Sequence, residues 1–496
     1  MTTTKEQLER AEQGVDALLR TRRDRWYPTF HIAARAGWIN DPNGLSYFHD
    51  RYQVFFQHHP FSTEWGPMHW GHVSSPDLVT WRREPIAMAP SIEADRDGVF
   101  SGSAVVSDDG KLVVYYTGHR WRNGVNEDDG NLQVQCMAVS DDGVNFHKLG
   151  TIVECPDGLL HFRDPKVWRT GDTWYMVFGA CSADKRGQVW LYTSQDMRSW
   201  AFDRVVYEDP DPDVFMLECP DMFPLGDKWV IGYCPMGPRP QGYVGRNGHN
   251  AGYVVGSWQP GEAFHQETDY RLCDWGHNYY APQTMLAPDG RRLVFGWMGS
   301  FTLPVATQAE DGWCGQLTVP RELTLGEDLH VHAVPARELT ALREDTVDFG
   351  SFELGANEDK VLLEDAEAVE IELEVDLTRT TSERVGLNVH KTPDGHHTFV
   401  CYDDLAHRVV IDRRDSGKGD RGYRGAPFTG DHLSLRVLVD RGSIEVFVNG
   451  GQETVTSFSF PNEGARALEL TSESGTIAVE SLRVHHLRTI WETPDR

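Results

Sequence analysis

The sequence predicts an all-β protein: a five-bladed β-propeller followed by a C-terminal β-sandwich, with a short N-terminal helix. Three observations predict it. An aromatic, β-branched strand pattern occurs five times, as Tyr52-Gln53-Val54-Phe55-Phe56-Gln57, Leu112-Val113-Val114-Tyr115-Tyr116-Thr117, Trp174-Tyr175-Met176-Val177-Phe178-Gly179, Trp229-Val230-Ile231-Gly232-Tyr233 and Leu293-Val294-Phe295-Gly296-Trp297. These runs begin at intervals of 60, 62, 55 and 64 residues, and a polar motif precedes each by 10 to 13 residues, counted from Asp41, Ser101, Asp164, Glu218 and Tyr280. Past residue 345 the pattern changes to short alternating strands. Long repeats built from short strands are the signature of a propeller, and the later pattern is that of an antiparallel sandwich.

Taken in order, residues 1–25 form an N-terminal extension. Leu8, Ala11, Val15, Leu18 and Leu19 make one apolar stripe, which predicts a helix over 4–25, weakened by Gly14. Residues 26–335 hold the five repeats. A fainter echo follows three of the strands: Ser75-Pro76-Asp77, Ser140-Asp141-Asp142 and Ser194-Gln195-Asp196 each lie four residues ahead of an aromatic at 81, 146 and 200. The segment 312–324 is the expected return toward the first blade. Residues 336–345 read as a short helical linker. The sandwich occupies 346–496. It opens with the alternating run at 369–377, one face apolar and one acidic, and continues at 385–390, 398–402, 409–412, 433–440, 443–448, 454–460 and 468–471. Asn449-Gly450 marks a turn between two of these strands. No charged cluster in the sandwich has a catalytic pattern, so it reads as a stabilising or accessory sugar-binding module.

Composition narrows the function. The formal charge of −28 argues against nucleic acid or an anionic membrane as partner, and no run is long enough to span a bilayer. Sixteen Trp suit both aromatic blades and stacking on sugar rings. The eight Cys include no C-x-x-C pair, so no zinc site is expected. The N-terminus is polar, with no signal-peptide pattern, and reduced thiols fit a cytoplasmic protein. No metal and no cofactor are expected.

The chemistry lies in the five motifs. In Gly37-Trp38-Ile39-Asn40-Asp41-Pro42-Asn43-Gly44, Pro42 restricts Asp41 to extended conformations, and Asn43-Gly44 predicts a tight reversal. Equivalent positions of different blades share one radius and height. Asn40-Asp41-Pro42, Phe100-Ser101-Gly102, Arg163-Asp164-Pro165, Glu218-Cys219-Pro220-Asp221 and Tyr280-Ala281-Pro282-Gln283 should therefore ring one mouth of the channel. Three carboxylates, Asp41, Asp164 and Glu218, would meet there from three separate blades.

Trp38 to Gly44, Arg163-Asp164-Pro165 and Glu218-Cys219-Pro220-Asp221 resemble the three signature motifs of glycoside hydrolase family 32, the invertases and fructan hydrolases. Phe55 to Pro60, Trp65 to Gly71, Phe100 to Ser103, Tyr280 to Gln283, 312–324 and Val439 to Phe447 extend the resemblance over nearly all the chain past residue 26, nearest to the intracellular bacterial β-fructofuranosidases. It implies a five-bladed propeller with a sandwich, and hydrolysis of sucrose and fructo-oligosaccharides with retention. Asp41 would be the nucleophile, Glu218 the general acid and then base, and Asp164 the residue that holds fructose hydroxyls. Asn40, Gln57, Trp65, Phe100, Ser101, Arg163, Tyr280 and Trp297 would grip fructose. A retaining pair stands about 5–5.5 Å apart, and an acid of this kind is expected to have a raised pKa from burial and neighbouring carboxylates. Trp65 and Trp297 also fit ordinary blade core, Gln57 a buried strand end, and His58, His59 and His72 structural loops. One departure is Asn278, where the family often has Asp. A fructosyltransferase with the same residues, an inverting arabinosidase or xylosidase, and a non-catalytic sugar-binding propeller are the other readings. Arg239 and Arg246, within the glycine-rich 237–252, are the only candidates for a substrate phosphate, and they read first as solvated loop arginines. The sequence does not specify the oligomeric state.

Overall fold

The N-terminal helix shows how far local pattern reaches. In the structure, a computed structural model that describes residues 3–493, this helix spans Thr4–Leu19 and not 4–25. Thr3 and Glu6 cap it reciprocally, satisfying amides that have no partner in the first turn. Ala11 and Val15 bury against Ala36 and Ile86, with Leu8, Leu18 and Leu19 alongside. From residue 20 to 25 the chain offers only Arg, Thr and Asp, so no apolar face holds a further turn. Gly14 stands where a Cβ would lie 2.7 Å from the Pro60 carbonyl oxygen. The residue that weakens the helix is the one that lets it approach the first sheet.

Five antiparallel sheets follow. Their first strands are Gly37–Phe48, Gly98–Val106, His161–Thr170, Met216–Leu225 and Tyr280–Leu286. Each pairs with a second strand that carries one of the five aromatic runs: Arg51–His59, Leu112–Trp121, Thr173–Cys181, Lys228–Met236 and Arg292–Met298. The first strands touch one another in chain order, and the fifth touches the first, so they make a closed ring. As the 312–324 segment predicts, the chain returns: Trp313–Cys314 pairs in parallel with Gly37 and Trp38. The three Ser-x-Asp echoes are one turn used three times. Asp77, Asp142 and Asp196 each accept the backbone amides two and three residues on, and the indole N–H of Trp81 and of Trp200 closes back onto the same loop.

The predicted reversal at Asn43-Gly44 does not occur. The strand runs on to Phe48 and turns at His49-Asp50, whose φ angles are 49° and 57°. Gly44 does take a positive φ, 55°, but beside a register shift inside the strand. The same freedom that closes a hairpin here bends a strand without ending it.

Past the five sheets, the helical linker is a 3-10 turn at Arg337–Leu342, and Arg343 already enters a strand, Arg343–Asp348. A seven-stranded and a six-stranded sheet then enclose a separate aliphatic core. Every strand expected there is present. Ile477–Leu487 was not expected, yet it lies between Val369–Asp376 and Arg343–Asp348. Its Glu480, Ser481, Arg483 and His486 break the alternation that marks a strand in sequence. On the acidic face of 369–377, Glu370 is buried between Arg343 and Arg436.

A buried charge cluster joins the two parts. His31 lies between Asp440, 2.7 Å from Nδ1, and Glu445, 2.8 Å from Nε2. Arg321 donates to Glu445 at 3.1 Å through Nε and to Asp274 at 3.1 Å through Nη1. All five side chains are fully buried. Burial alone would keep His31 neutral, but hydrogen bonds and charge from Asp440 and Glu445 raise it from 6.5 to about 9. The folded protein therefore binds this proton more tightly than the unfolded chain. That contribution is complete below about pH 6.5 and is lost as pH rises through about 9. Wild-type thermal stability is expected to fall over this interval by an amount on the order of 3 kcal/mol. A less stable His31→Asn variant should lack the slope; parallel pH curves for the two proteins would remove His31 from this account.

Candidate active site

All five first strands carry a β-bulge at the polar motif. Between Ile39 and Pro42, Val99 and Gly102, Arg163 and Lys166, Glu218 and Asp221, and Tyr280 and Gln283, the inner strand advances three residues while its partner advances two. The added residue breaks the alternation and re-aims the motif side chains. Asp164, Cys219 and Ala281 take φ of 67°, 48° and 48° to do so. Pro42, Pro165, Pro220 and Pro282 sit at these bulges, where a missing N–H costs the ladder little.

Just beyond the bulges, side chains latch each sheet to the next. Asn43 Oδ1 accepts Gly102 N at 3.1 Å and Ser103 Oγ accepts Val167 N at 3.0 Å. Lys166 Nζ donates to Asp221 at 3.0 Å, and Asp221 accepts Thr284 N at 2.6 Å.

Above these latches opens a cavity of about 580 Å³, a volume that suits a small sugar. Asp41, Asp164 and Glu218 all line it. Asp41 accepts Ser101 Oγ at 2.5 Å and Asn40 Nδ2 at 3.0 Å, and Asn40 is itself held by Trp38 Nε1 at 2.8 Å. Asp164 Oδ2 accepts Cys219 N at 2.9 Å. Glu218 accepts Arg163 Nη2 at 2.6 Å and the Tyr280 hydroxyl. Arg163 is steered by His161 Nδ1 at 3.0 Å. Burial and the charge of Arg163 push His161 down to about 4, so it is a neutral acceptor here.

The protonation pattern departs from the sequence expectation. Burial raises Asp41, against the hydrogen bonds of Ser101 and Asn40. Burial raises Asp164 to about 7, with the charges of Asp41 and Glu218 adding to it against Arg163. Glu218, expected to be raised, is lowered. Burial pushes it up, but the Arg163 charge and the hydrogen bonds from Tyr280 and Arg163 outweigh that. The three groups share one cavity and titrate as a coupled set.

Of the expected fructose-gripping residues, Asn40, Gln57, Trp65, Phe100, Ser101, Arg163 and Tyr280 line the cavity. Gln57 also donates to the Val99 carbonyl at 3.0 Å, and Trp65 stands 41% exposed at the rim, edge-on to Phe100. Trp297 does not line it. This residue lies behind the wall, packed on Trp38, Tyr280 and Phe301 and 1% exposed, because the inner strand comes between its own strand and the mouth. His58, His59 and His72 also lie elsewhere, bonded to Trp38 O, Glu64 O and Gln53 Oε1. Arg239 and Arg246 are outside the cavity. Asn278 faces away from Glu218, bonding Arg413, Phe458 N and Gly299 O. Trp121, Glu127, Gln133, His161, His249 and Phe301 line the cavity unforeseen; they are spread over first, second and third strands, a 3-10 turn and loops, with no repeated motif to flag them.

Comparison with known proteins agrees with this geometry. Residues 31–335 match the family model for the glycosyl hydrolases family 32 N-terminal domain, and residues 338–486 match that for the family's C-terminal domain. A sucrose-6-phosphate hydrolase of Escherichia coli is 41% identical over 478 residues, covering 96% of this chain and 98% of that protein. A raffinose invertase of Escherichia coli is 40% identical, covering 95% and 97%. Among solved structures, a GH32 beta-fructofuranosidase of Bombyx mori superposes with a TM-score of 0.86 at 32% identity, covering 98% and 99%; a mutant of it was solved with sucrose.

Tyr280 donates to the charged form of Glu218, so Tyr280→Phe should raise the Glu218 pKa. Carbon-13 NMR of labelled glutamate, with Glu218→Gln to assign the resonance, reads this directly. An unchanged titration would mean that Tyr280 does not stabilise the carboxylate.

Proposed function

The chain belongs to glycoside hydrolase family 32, and from that premise we propose that it is a β-fructofuranosidase, releasing terminal β-D-fructofuranosyl units from sucrose and fructo-oligosaccharides by double displacement. It is a glycoside hydrolase of sucrose-type substrates. The observation that carries the reading is the meeting of Asp41, Asp164 and Glu218, from three sheets, in one sugar-sized cavity.

In this reading Asp41 attacks the anomeric carbon. Ser101 and Asn40 hold its carboxylate in one orientation, which lowers the cost of reaching the reactive geometry. Glu218 protonates the leaving oxygen and then takes a proton from water. Cys219, bonded to Glu218 in the chain, places its Sγ 3.4 Å from Asp41 Oδ2. Burial and, in smaller part, the charge of Glu218 raise Asp41, and the two carboxyls line the same cavity, as a retaining pair about 5–5.5 Å apart requires. Asp164 makes no hydrogen bond through Oδ1 among the described residues, so this oxygen is available to fructose hydroxyls. Negative groups around the sugar favour an oxocarbenium-like transition state.

We read the five sheets as the blades of a five-bladed propeller, with domains at 26–335 and 346–496, a linker at 336–345 and an N-terminal extension at 1–25. The closed ring of first strands supports that division. We place the protein in the cytoplasm, which fits eight free cysteines; among the described residues no helix is long and apolar enough to cross a membrane.

Chromatography of products from sucrose, 1-kestose, inulin and sucrose 6-phosphate, each supplied alone, tests the reading. Free fructose is expected; longer oligosaccharides would make the protein a transferase, and no product from any of them would overturn it. Asp41→Asn should keep the fold and lower kcat by about 10⁴-fold or more; retention of a tenth of the activity would exclude Asp41 as nucleophile. The acid step needs the proton held by the coupled carboxyls, so kcat/KM should decline above about pH 7.

A further inference from the structure

A second cavity, of about 70 Å³, lies where the five-sheet ring meets the two-sheet region. Its wall carries Arg246, Arg413, Lys418 and Arg424 against one carboxylate, Asp420. This is a local positive excess in a chain whose formal charge is −28. Arg413 is 6% exposed; it pairs with Asp420 at 2.8 Å, yet its Nε meets no acceptor among the described residues. Arg424 has no carboxylate partner among those residues and donates only to Asn247 Oδ1, Tyr423 O and Arg246 O, each at 3.0 Å. Arg246 and Lys418 make no ion pair there either.

Asn278 sharpens the point. Its Oδ1 accepts from Arg413 Nη1 at 3.1 Å. An Asp at this position would neutralise that guanidinium, and the amide does not. Burial lowers Arg413 to about 10, and burial with the charge of Arg246 lowers Arg424. An anion would relieve both. Volume limits what enters: one water needs about 10–15 Å³ of such space, so a few-atom group fits and a disaccharide does not.

We propose that this junction cavity is an anion site that holds inorganic phosphate. A guanidinium-rich wall with hydroxyls from Ser300 and Thr302 is the chemistry that recognises a phosphoryl oxygen set. One layer of chain separates the site from the carboxylates. Gly248 and Ser300 face the anion cavity, while their neighbours His249 and Phe301 face the reaction cavity. Both of those rings pack on Tyr280, with centroids 5.2 and 6.1 Å away. A bound phosphate thus sits on the two segments that form the wall beside Glu218.

The test is isothermal titration of the full chain with inorganic phosphate in a phosphate-free buffer. Saturable binding at one site is expected, weakened tenfold or more in an Arg246→Ala, Lys418→Ala double variant, whose altered side chains are exposed and leave folding intact. Asn278→Asp, which adds a charge beside Arg413, should weaken it likewise. Rates of the double variant on sucrose and on sucrose 6-phosphate show whether these cations stand apart from the substrate's path, an arm that rests on the hydrolase reading. Phosphate binding lost with the KM values for sucrose and sucrose 6-phosphate both unchanged supports a site for the free ion; a KM raised for sucrose 6-phosphate alone would place these cations on the substrate's path and overturn the proposal. Equal phosphate affinity in wild type and double variant would overturn the site, as would the absence of saturable binding. Sucrose turnover by the wild type reports on the hydrolase reading separately.

Discussion

A strand that is also the innermost rung of a sheet sends its side chains alternately to the two faces, never forward into a channel. The bulge repeated in all five first strands resolves that conflict, and the site depends on it. One extra residue at Asp41, Ser101, Asp164, Cys219 and Ala281 redirects the motif. Left-handed backbone at non-glycine residues costs about 1–3 kcal/mol each. The neighbours that offset the cost are the ones that build the site: Thr117 Oγ1 accepts Asp164 N at 3.0 Å, and Asp164 accepts Cys219 N. Strain in one sheet is thus held by hydrogen bonds from the sheets beside it.

The same economy governs charge. The protein is strongly acidic, yet four of its cations stand where buried carboxylates need them. Arg163 serves Glu218, Lys166 serves Asp221, Lys148 serves Asp95 and Arg321 serves Glu445 and Asp274. Breaking such a pair strands a charge in a poor solvent for it. The interface cluster also reaches the site. Asp274 accepts the Thr456 amide at 2.8 Å, and the segment after it hydrogen-bonds to Thr454 and Thr456 before entering the strand that begins at Tyr280. The two-sheet region therefore braces the residue that holds Glu218.

Period was the most legible property of the sequence, and contact the least. The aromatic runs marked the five second strands because a strand buried on both faces has a simple composition. The three carboxylates followed from their shared phase. Asn43-Gly44 misled because a positive φ serves bulge and hairpin alike. Trp297 misled because a large aromatic one strand away from a site looks the same as one inside it. Glu218 misled because its pKa depends on Arg163 and Tyr280, 55 and 62 residues away. His31 and Glu445 are 414 residues apart, and no local pattern announces such a pair. Ile477–Leu487 escaped because Glu480, Ser481, Arg483 and His486 interrupt its apolar alternation.

The parallel rung between Gly37–Trp38 and Trp313–Cys314 has a consequence for biosynthesis. As the chain leaves the ribosome, the strand that carries Asp41 appears some 275 residues before the edge that covers it. At typical elongation rates of about 5–20 residues per second, that edge stays open for about 15 to 55 seconds. Four sheets can form in that time, but the circle cannot close. The nucleophile candidate is thus framed only once Cys314 has been made, and until then the exposed rung at Gly37 is open to pairing with a wrong partner.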